Sequence, residues 1–396
     1  MAGAIITLNA GSSSLKFSLF EVAGEALARI ADGEVEGIGE APCLVARRDG
    51  RVALEQRWPD GASLSHETFL ATLLDWTDAQ LGGDGLIAVG HRIVHGGTEF
   101  LAPVRLDEGT LAKLAALAPL APLHQPHNLA AVRAAAKARP HVLQVGAFDT
   151  AFHHGHAPVV DRFGLPREWE AKGVRRYGFH GLSYEYVAGR MRVADPALAA
   201  GRMIIAHLGA GASLCAVAAG RSVDTTMGFT ALDGLVMGTR AGSLDPGVIL
   251  YLEQAQGLSA TALEDLLYRR SGLLGVSGIS ADMRTLLASD DPRAAEAVEL
   301  FVFRIVREIG ALAASMGGVD GLVFTAGIGE RSPQIRERVC ARLGWLGLSV
   351  DPSLNAAGAG RISASGAKPV WALATDEETV IARHAREVAA HFGAET

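Results

Sequence analysis

A run of hydrogen-bond donors with one cation opens the chain: Asn9-Ala10-Gly11-Ser12-Ser13-Ser14-Leu15-Lys16. It sits between two apolar stretches, Ala4-Ile5-Ile6-Thr7-Leu8 and Phe17-Ser18-Leu19-Phe20, which predicts a β-hairpin with a polar tip. Small residues let a ligand approach the backbone, and the turn offers N–H groups, three hydroxyls and the Lys16 ammonium. Those are the parts of a phosphate cradle, although the spacing is not that of a P-loop. An ordinary Ser-rich turn would be built from the same residues. The pattern returns at Met203-Ile204-Ile205-Ala206-His207-Leu208-Gly209-Ala210-Gly211-Ala212-Ser213-Leu214. Two such tips in two chain halves predict a duplicated domain holding one polyphosphate.

Cations and a carboxylate complete the candidate chemistry. Arg92 lies in His91-Arg92-Ile93-Val94-His95-Gly96-Gly97, and Arg240 in Met237-Gly238-Thr239-Arg240-Ala241-Gly242. A guanidinium fork matches carboxylate and phosphoryl oxygens, though a surface ion pair is the commoner use of an isolated arginine. Asp149 follows an apolar run, either as a functional carboxylate at a strand end or as a helix cap. His180 lies in Arg175-Arg176-Tyr177-Gly178-Phe179-His180-Gly181, a loop in which an imidazole serves structure or chemistry. Gly327-Ile328-Gly329 reads as a turn between strand 321–325 and a helix starting at Ser332-Pro333, a backbone on which a base and ribose can lie. It lacks the third glycine of the dinucleotide fingerprint.

The elements that must position these groups alternate. Residues 4–60 predict consecutive strands, with Asp49-Gly50 as a hairpin turn. Helices are expected over 68–81, 110–118, 128–138, 293–316 and 379–391, and after Asp245-Pro246 and Ser259. Short buried strands at 86–90, 142–148, 321–325 and 370–374 lie between them, giving an α/β fold. Around residue 150 the pattern restarts. With 396 residues, 49% of them hydrophobic and 20% charged, the chain has material for two globular domains. A net charge of −7 without a Lys/Arg cluster predicts no nucleic-acid partner. No apolar run is long enough for a membrane span and the start lacks a leader pattern, so a cytoplasmic enzyme is expected. Cys43, Cys215 and Cys340 have neither metal nor disulfide spacing.

Taken in order, these motifs, with Leu120-Ala121-Pro122-Leu123-His124, Phe148-Asp149-Thr150-Ala151-Phe152-His153 and Ala326-Gly327-Ile328-Gly329-Glu330, resemble the acetate kinase family across essentially the whole chain. The resemblance implies two ribonuclease-H-like domains of the actin-like ATPase group around a central cleft. Residues 1–150 with 377–396 would carry the first hairpin, and 151–376 the second hairpin and the nucleotide site. It implies reversible transfer of the ATP γ-phosphoryl group to acetate with Mg²⁺, or Mn²⁺ in its place, by a homodimer. Asn9 and Glu377 would hold the metal. Arg92 and Arg240 would clamp the carboxylate and the phosphoryl group, Asp149 would be an essential acid, and His180 would stabilise the transition state. ATP would meet Lys16, Ser12 and Ser14, the segment His207, Leu208, Gly209, Ala210 and Gly211, then Asp282, Met283 and Arg284, then Gly327, Ile328, Gly329, Glu330 and Arg331. Val94, Leu123, Phe179 and Ala231 would form the acyl pocket.

Four positions depart from the family pattern. Ala210 stands in place of an Asn at the second tip, Ala231 in place of a pocket Pro, Arg331 in place of an Asn, and Asp376 in place of the Asn before Glu377. Propionate or butyrate kinases share the scaffold. A non-catalytic actin-like nucleotide-binding protein is the alternative of another class, and retention of Arg92, Asp149, His180 and Arg240 argues against it.

Overall fold

The computed structural model describes residues 2–11, 14–61, 64, 66–82, 85–358 and 360–392. The chain divides into two compact units, Met1–Phe152 with Asp376–Thr396, and His153–Thr375.

Eight strands form the sheet of the first unit: β1 (Ala2–Ala10), β2 (Ser14–Ala23), β3 (Ala26–Glu36), β4 (Cys43–Arg48), β5 (Arg51–Arg57), β6 (Leu86–Ile93), β7 (Val104–Arg105) and β8 (Leu143–Phe148). Their order is β5-β4-β3-β2-β1-β6-β8-β7. The first five run as an antiparallel meander, and β6 and β8 then add in parallel to β1. Asp49 and Gly50 both take positive φ (50° and 72°), the backbone a tight two-residue hairpin needs. Helices cover both faces. On one, Phe69, Leu70, Leu73 and Leu74 of the helix His66–Leu81 and Ala131, Ala134 and Ala135 of Gln125–Ala138 meet Ile6, Leu8, Phe17 and Leu19. On the other, Ala382, Ala385 and Ala389 of the helix Glu377–Phe392 pack on Ile5, Phe20, Ala88 and Val145. Gly90 permits that approach, since a Cβ there would lie 2.7 Å from Ile381 Cγ2.

The second unit repeats the plan with β9 (Arg202–Leu208), β10 (Ala212–Ala218), β11 (Arg221–Thr225), β12 (Gly321–Thr325), β13 (Gly360–Arg361) and β14 (Val370–Ala372), in the order β11-β10-β9-β12-β14-β13. β9, β10 and β11 are antiparallel, and β12 and β14 run parallel to β9. Thus β3-β2-β1-β6-β8 and β11-β10-β9-β12-β14 are one topology written twice. The long helix Pro292–Ser315 buries Val298, Phe301, Val302, Ile305, Ile309 and Leu312, the stripe its 3.6-residue period predicts.

Three element boundaries move for identifiable reasons. The helix expected from Thr110 runs Glu108–Ala116, because Asp107 accepts the Thr110 N–H at 2.8 Å. The last helix opens at Glu377 rather than Thr379, because Asp376 accepts from the Thr379 N–H (3.1 Å) and hydroxyl (2.7 Å). The expected Gly327-Ile328-Gly329 turn is helical, within Ala326–Arg331, entered through Ala326 at a φ of 64°.

Candidate active site

In the first unit the hairpin ends deliver Asn9. It pairs directly with Lys16 in the β1–β2 register, so the two side chains share a face of the sheet. Gly11 N–H bonds the Ser14 carbonyl at 2.8 Å across the turn, while Ser12 lies outside the described residues. Arg92 comes from the C-terminal end of β6, and Asp149 from the residue after its parallel neighbour β8. Arg92 donates from Nε to both Asp149 oxygens (3.1 and 3.0 Å) and from Nη2 to Oδ2 (2.6 Å). The Asp149 side chain is 1% exposed, against 20% for Arg92. This carboxylate orients the guanidinium. Arg92 Nη1 reaches Asn9 Oδ1 at 3.2 Å and Glu377 Oε2 at 3.7 Å. Burial works against the Arg92 charge, and Asp149 and then Glu377 more than offset it, holding the group above its usual range.

The neighbouring imidazoles add no charge. Burial lowers His91, bonded to Gln144 at 2.8 Å, to about 4, and lowers His95 to about 4 as well. Val94 is buried and Leu123 half-buried. Two buried amides of the helix Gln125–Ala138, which no motif in the sequence marks, fix this loop. Asn128 accepts the Val94 N–H (3.0 Å) and donates to the Ala10 carbonyl (2.7 Å), tying the Arg92 loop to the end of β1. Gln125 accepts the His95 N–H (3.2 Å) and donates to the His95 carbonyl (3.0 Å). Their spacing of three residues, one helical face, is the signal that could have found them.

In the second unit the tip between β9 and β10 carries Gly209, Ala210 and Gly211. Gly209 N–H bonds the Gly211 carbonyl (3.0 Å), and Gly238 N–H takes the Ala210 carbonyl (3.0 Å). His180 has a left-handed backbone (φ 58°), and its Nε2 lies 3.3 Å from where a Cβ on Gly211 would stand. Arg240 Nη1 lies 3.8 Å from that same point and donates to the Ala231 carbonyl at 3.0 Å. The His180 ring stacks on His207, with centroids 4.2 Å apart and planes at 16°. Phe179 is buried, its carbonyl facing His153 Nε2 at 2.8 Å, and Gly178 is required there, since a Cβ would lie 2.6 Å from the His153 ring.

Beside this tip opens a cavity of about 830 Å³, lined among others by Gly209, Ala210, Asp282, Met283, Arg284, Gly327, Ile328 and Arg331. Asp282 caps the helix Met283–Leu287 by accepting the Arg284 N–H (2.8 Å). Leu287 and Ala288, one turn beyond Met283 and Arg284, extend the wall, as do Ser332, Pro333 and Gln334 at the start of the next helix. Leu208 and Gly329 are buried behind the wall, and the Glu330 carbonyl is held from within by Arg336.

Asn9 and Glu377 offer an amide oxygen and a carboxylate around one guanidinium nitrogen. Hard oxygen donors in that number suit a Mg²⁺ ion that keeps several waters and takes its remaining ligands from phosphates. Among the described residues no cluster of three or more His, Cys, Asp or Glu forms a cage for a metal.

The doubled sheet, each copy opening on a small-residue hairpin, defines a duplicated α/β fold. Solved structures agree closely. A propionate kinase from Francisella tularensis subsp. tularensis SCHU S4 superposes with a TM-score of 0.91 at 33% identity, covering 98% of this chain and 100% of the other. Porphyromonas gingivalis acetate kinase gives 0.86 at 38%, covering 98% and 99%. An acetate kinase of Rhodopseudomonas palustris (strain TIE-1) is 54% identical over 391 residues, 97% of this chain and 98% of its own. The chain matches the Acetokinase family over residues 4–383, and it belongs to that family.

Proposed function

We propose that this protein transfers the γ-phosphoryl group of ATP reversibly to acetate, giving acetyl phosphate and ADP. The observation that carries this reading is the Arg92–Asp149 pair beside Asn9 and Glu377, in a chain 54% identical to an acetate kinase over 97% of its length. A carboxylate oxygen attacks phosphorus while the bond to ADP breaks. Acetate is already an anion, so no base removes a proton. What the protein must supply is positioning and charge stabilisation, which together account for most of the catalysis when the phosphoryl transition state is loose. Arg92, fixed in its rotamer by Asp149, and Arg240, fixed by the Ala231 carbonyl, supply two guanidiniums for two anions. His180 and the Gly209–Gly211 backbone face the phosphoryl group, and the cavity at Asp282–Arg284 and Gly327–Arg331 takes the nucleotide. Asn9 and Glu377 would hold a Mg²⁺ ion, whose charge would offset that of the phosphate oxygens.

A hydroxamate assay with ATP across short carboxylates tests the reading. Acetyl hydroxamate should form with Mg²⁺ and fall to background with excess chelator. An undiminished rate in chelator would remove the metal assignment, and no product with any carboxylate would remove the activity.

Propionate is a second acceptor that Ala231 favours. A Pro→Ala exchange takes ring carbons from the acyl wall, and one methylene in an apolar pocket is worth about 1–3 kcal/mol. Propionate should therefore be used at an efficiency closer to that of acetate than is usual in the family. Ala231→Pro should raise the acetate-to-propionate ratio of kcat/KM by about tenfold or more on the same scale. An unchanged ratio defeats this assignment.

The protein acts in the cytoplasm, where its nucleotide is supplied; among the described residues no helix is long and apolar enough to cross a membrane. It works as a homodimer. The helix Pro246–Gln254 is apolar yet has no buried residue, and it presents Val248, Leu250 and Tyr251 at 38%, 52% and 57% exposure, with Leu244 at 41% alongside. A patch of this kind marks an association surface. Light scattering should give twice the chain mass, and Leu250→Glu with Tyr251→Glu should halve it; an unaltered dimer in that variant puts the interface elsewhere.

A further inference from the structure

His180 is held from behind by two buried hydroxyls. Its Nδ1 lies 2.8 Å from Ser213 Oγ, and the Tyr184 hydroxyl lies within hydrogen-bond distance of the same oxygen. Ser213 and Tyr184 are both 0% exposed. Their placement follows from the elements. Ser213 on β10 pairs directly with His207 on β9, so both side chains face the His180 ring. Tyr184 stands one helical turn after His180 on the helix Gly181–Ala194. The ring is thus fixed by its left-handed backbone, by the His207 stack and by Ser213, and His207 is itself tethered through Nδ1 to Ser183 Oγ at 2.8 Å.

We infer that Tyr184 and Ser213 form a hydroxyl relay that keeps the neutral His180 ring protonated at Nε2, making it a hydrogen-bond donor at the tip of the second hairpin. The inference rests on the reading of His180 as a group that faces the transferring phosphoryl. Ser213 has one hydroxyl proton. Tyr184 donates to Ser213 Oγ, Ser213 donates to His180 Nδ1, and the remaining ring proton sits on Nε2, which faces Gly211. Burial keeps the phenol of Tyr184 protonated, raising it well above its ordinary value, so it remains available as a donor. Among the described residues, Arg240 on the hairpin side, His207 on the stacking side and Tyr184 behind Ser213 are titratable or charged groups close to this ring. With the Arg240 guanidinium on the same tip, the relay provides a donor without a second positive charge. Ser213 and Tyr184 are positioning residues, for they meet the reaction only through His180.

The readouts are kcat, both KM values and their pH dependence in Ser213→Ala, Tyr184→Phe and His180→Ala, with folding checked by circular dichroism. At pH 8 Ser213→Ala should lower kcat by about tenfold or more, a fraction of what a lost preorganised donor costs, with both KM values little changed. Tyr184→Phe should show the same pattern, less strongly. Once acid doubly protonates the ring the deficit should shrink, because an imidazolium donates at Nε2 whatever lies at Nδ1. A packing defect would not follow that profile. Wild-type kcat in Ser213→Ala, beside a crippled His180→Ala, overturns the relay alone. Wild-type kcat in His180→Ala instead removes the reading beneath it. Nitrogen NMR of ¹⁵N-histidine protein, with the His180 signals found by their loss in His180→Gln, decides the tautomer even where Ser213→Ala does not fold. An Nε2–H with an accepting Nδ1 is expected, and an Nδ1–H overturns the proposal.

Discussion

Arg92→Ala is expected to lower kcat/KM for acetate by more than about 100-fold, roughly 2.7 kcal/mol of transition-state stabilisation, and Arg240→Ala to do the same. The geometry adds a sharper expectation for Asp149. Its carboxylate is buried and bound to Arg92 Nε and Nη2, so its contribution passes through the guanidinium it orients. Asp149→Ala should therefore fall to within about tenfold of Arg92→Ala, and the double variant should be little worse than either alone, the non-additivity of groups that act as one unit. Arg92→Lys should not restore the rate, because an ammonium cannot keep the bidentate pair and still reach toward Asn9 and Glu377. Steady-state kinetics on the five variants beside the parent, each checked for fold by circular dichroism, decides. Multiplying defects would give Asp149 a role of its own, and near-normal turnover in Arg92→Ala would remove the clamp altogether.

The repeated strand–tip–strand pattern was legible because alternation and small-residue turns are local properties. Asn9, Gly209, Gly211 and the Asp49-Gly50 hairpin follow from them directly. Arg92 and Asp149 could be placed at strand ends by the same reasoning. That β6 and β8 lie side by side, which is what joins the two, is a long-range parallel pairing that no local pattern states. Asn128 and Gln125 were missed for a related reason: a polar residue on a helix reads as solvated until the fold buries it against a loop. Ser213 reads as part of the second small-residue tip, whereas it lies in β10 and meets His180 through a sheet pairing with His207 that no local pattern states. The Gly327-Ile328-Gly329 segment reads as a turn from its Gly-x-Gly spacing between a strand and a helix, yet it is helical although glycine disfavours helix. The helix stands there because a side chain from the next one holds its end.

That side chain is Arg336, and its removal should be the most damaging change away from the reacting groups. It is fully buried, yet its hydrogen-bond partners are neutral: Asn355 Oδ1 (2.8 Å), the Asn355 carbonyl (2.6 Å), and the carbonyls of Gly329 (2.9 Å) and Glu330 (2.6 Å). Burial lowers its guanidinium from the ordinary value. The carbonyls of Gly329 and Glu330 end the short helix Ala326–Arg331, where orphan acceptors and the negative end of the helix dipole favour a cation. Asn355 donates in turn to the Pro333 carbonyl (2.9 Å), so one guanidinium holds together the backbone around Gly327, Ile328 and Arg331, three residues that line the cavity proposed for the nucleotide. Arg336→Ala leaves these buried acceptors unpaired at about 1–3 kcal/mol each, beside a cavity. A loss of about 4 kcal/mol corresponds to a Tm drop on the order of 10 °C for a unit of this size. Arg336→Lys should recover part of it, since an ammonium reaches fewer of these oxygens. The kinetic signature is directional: KM for ATP should rise several-fold while KM for acetate stays near its original value, because the wall that loosens touches the nucleotide. At one fixed ATP concentration the nucleotide should raise the variant's Tm by less than it raises that of the parent, because weaker binding stabilises the folded state less. Equal Tm in Arg336→Ala and the parent, or a KM increase confined to acetate, would show that Arg336 does not hold this wall.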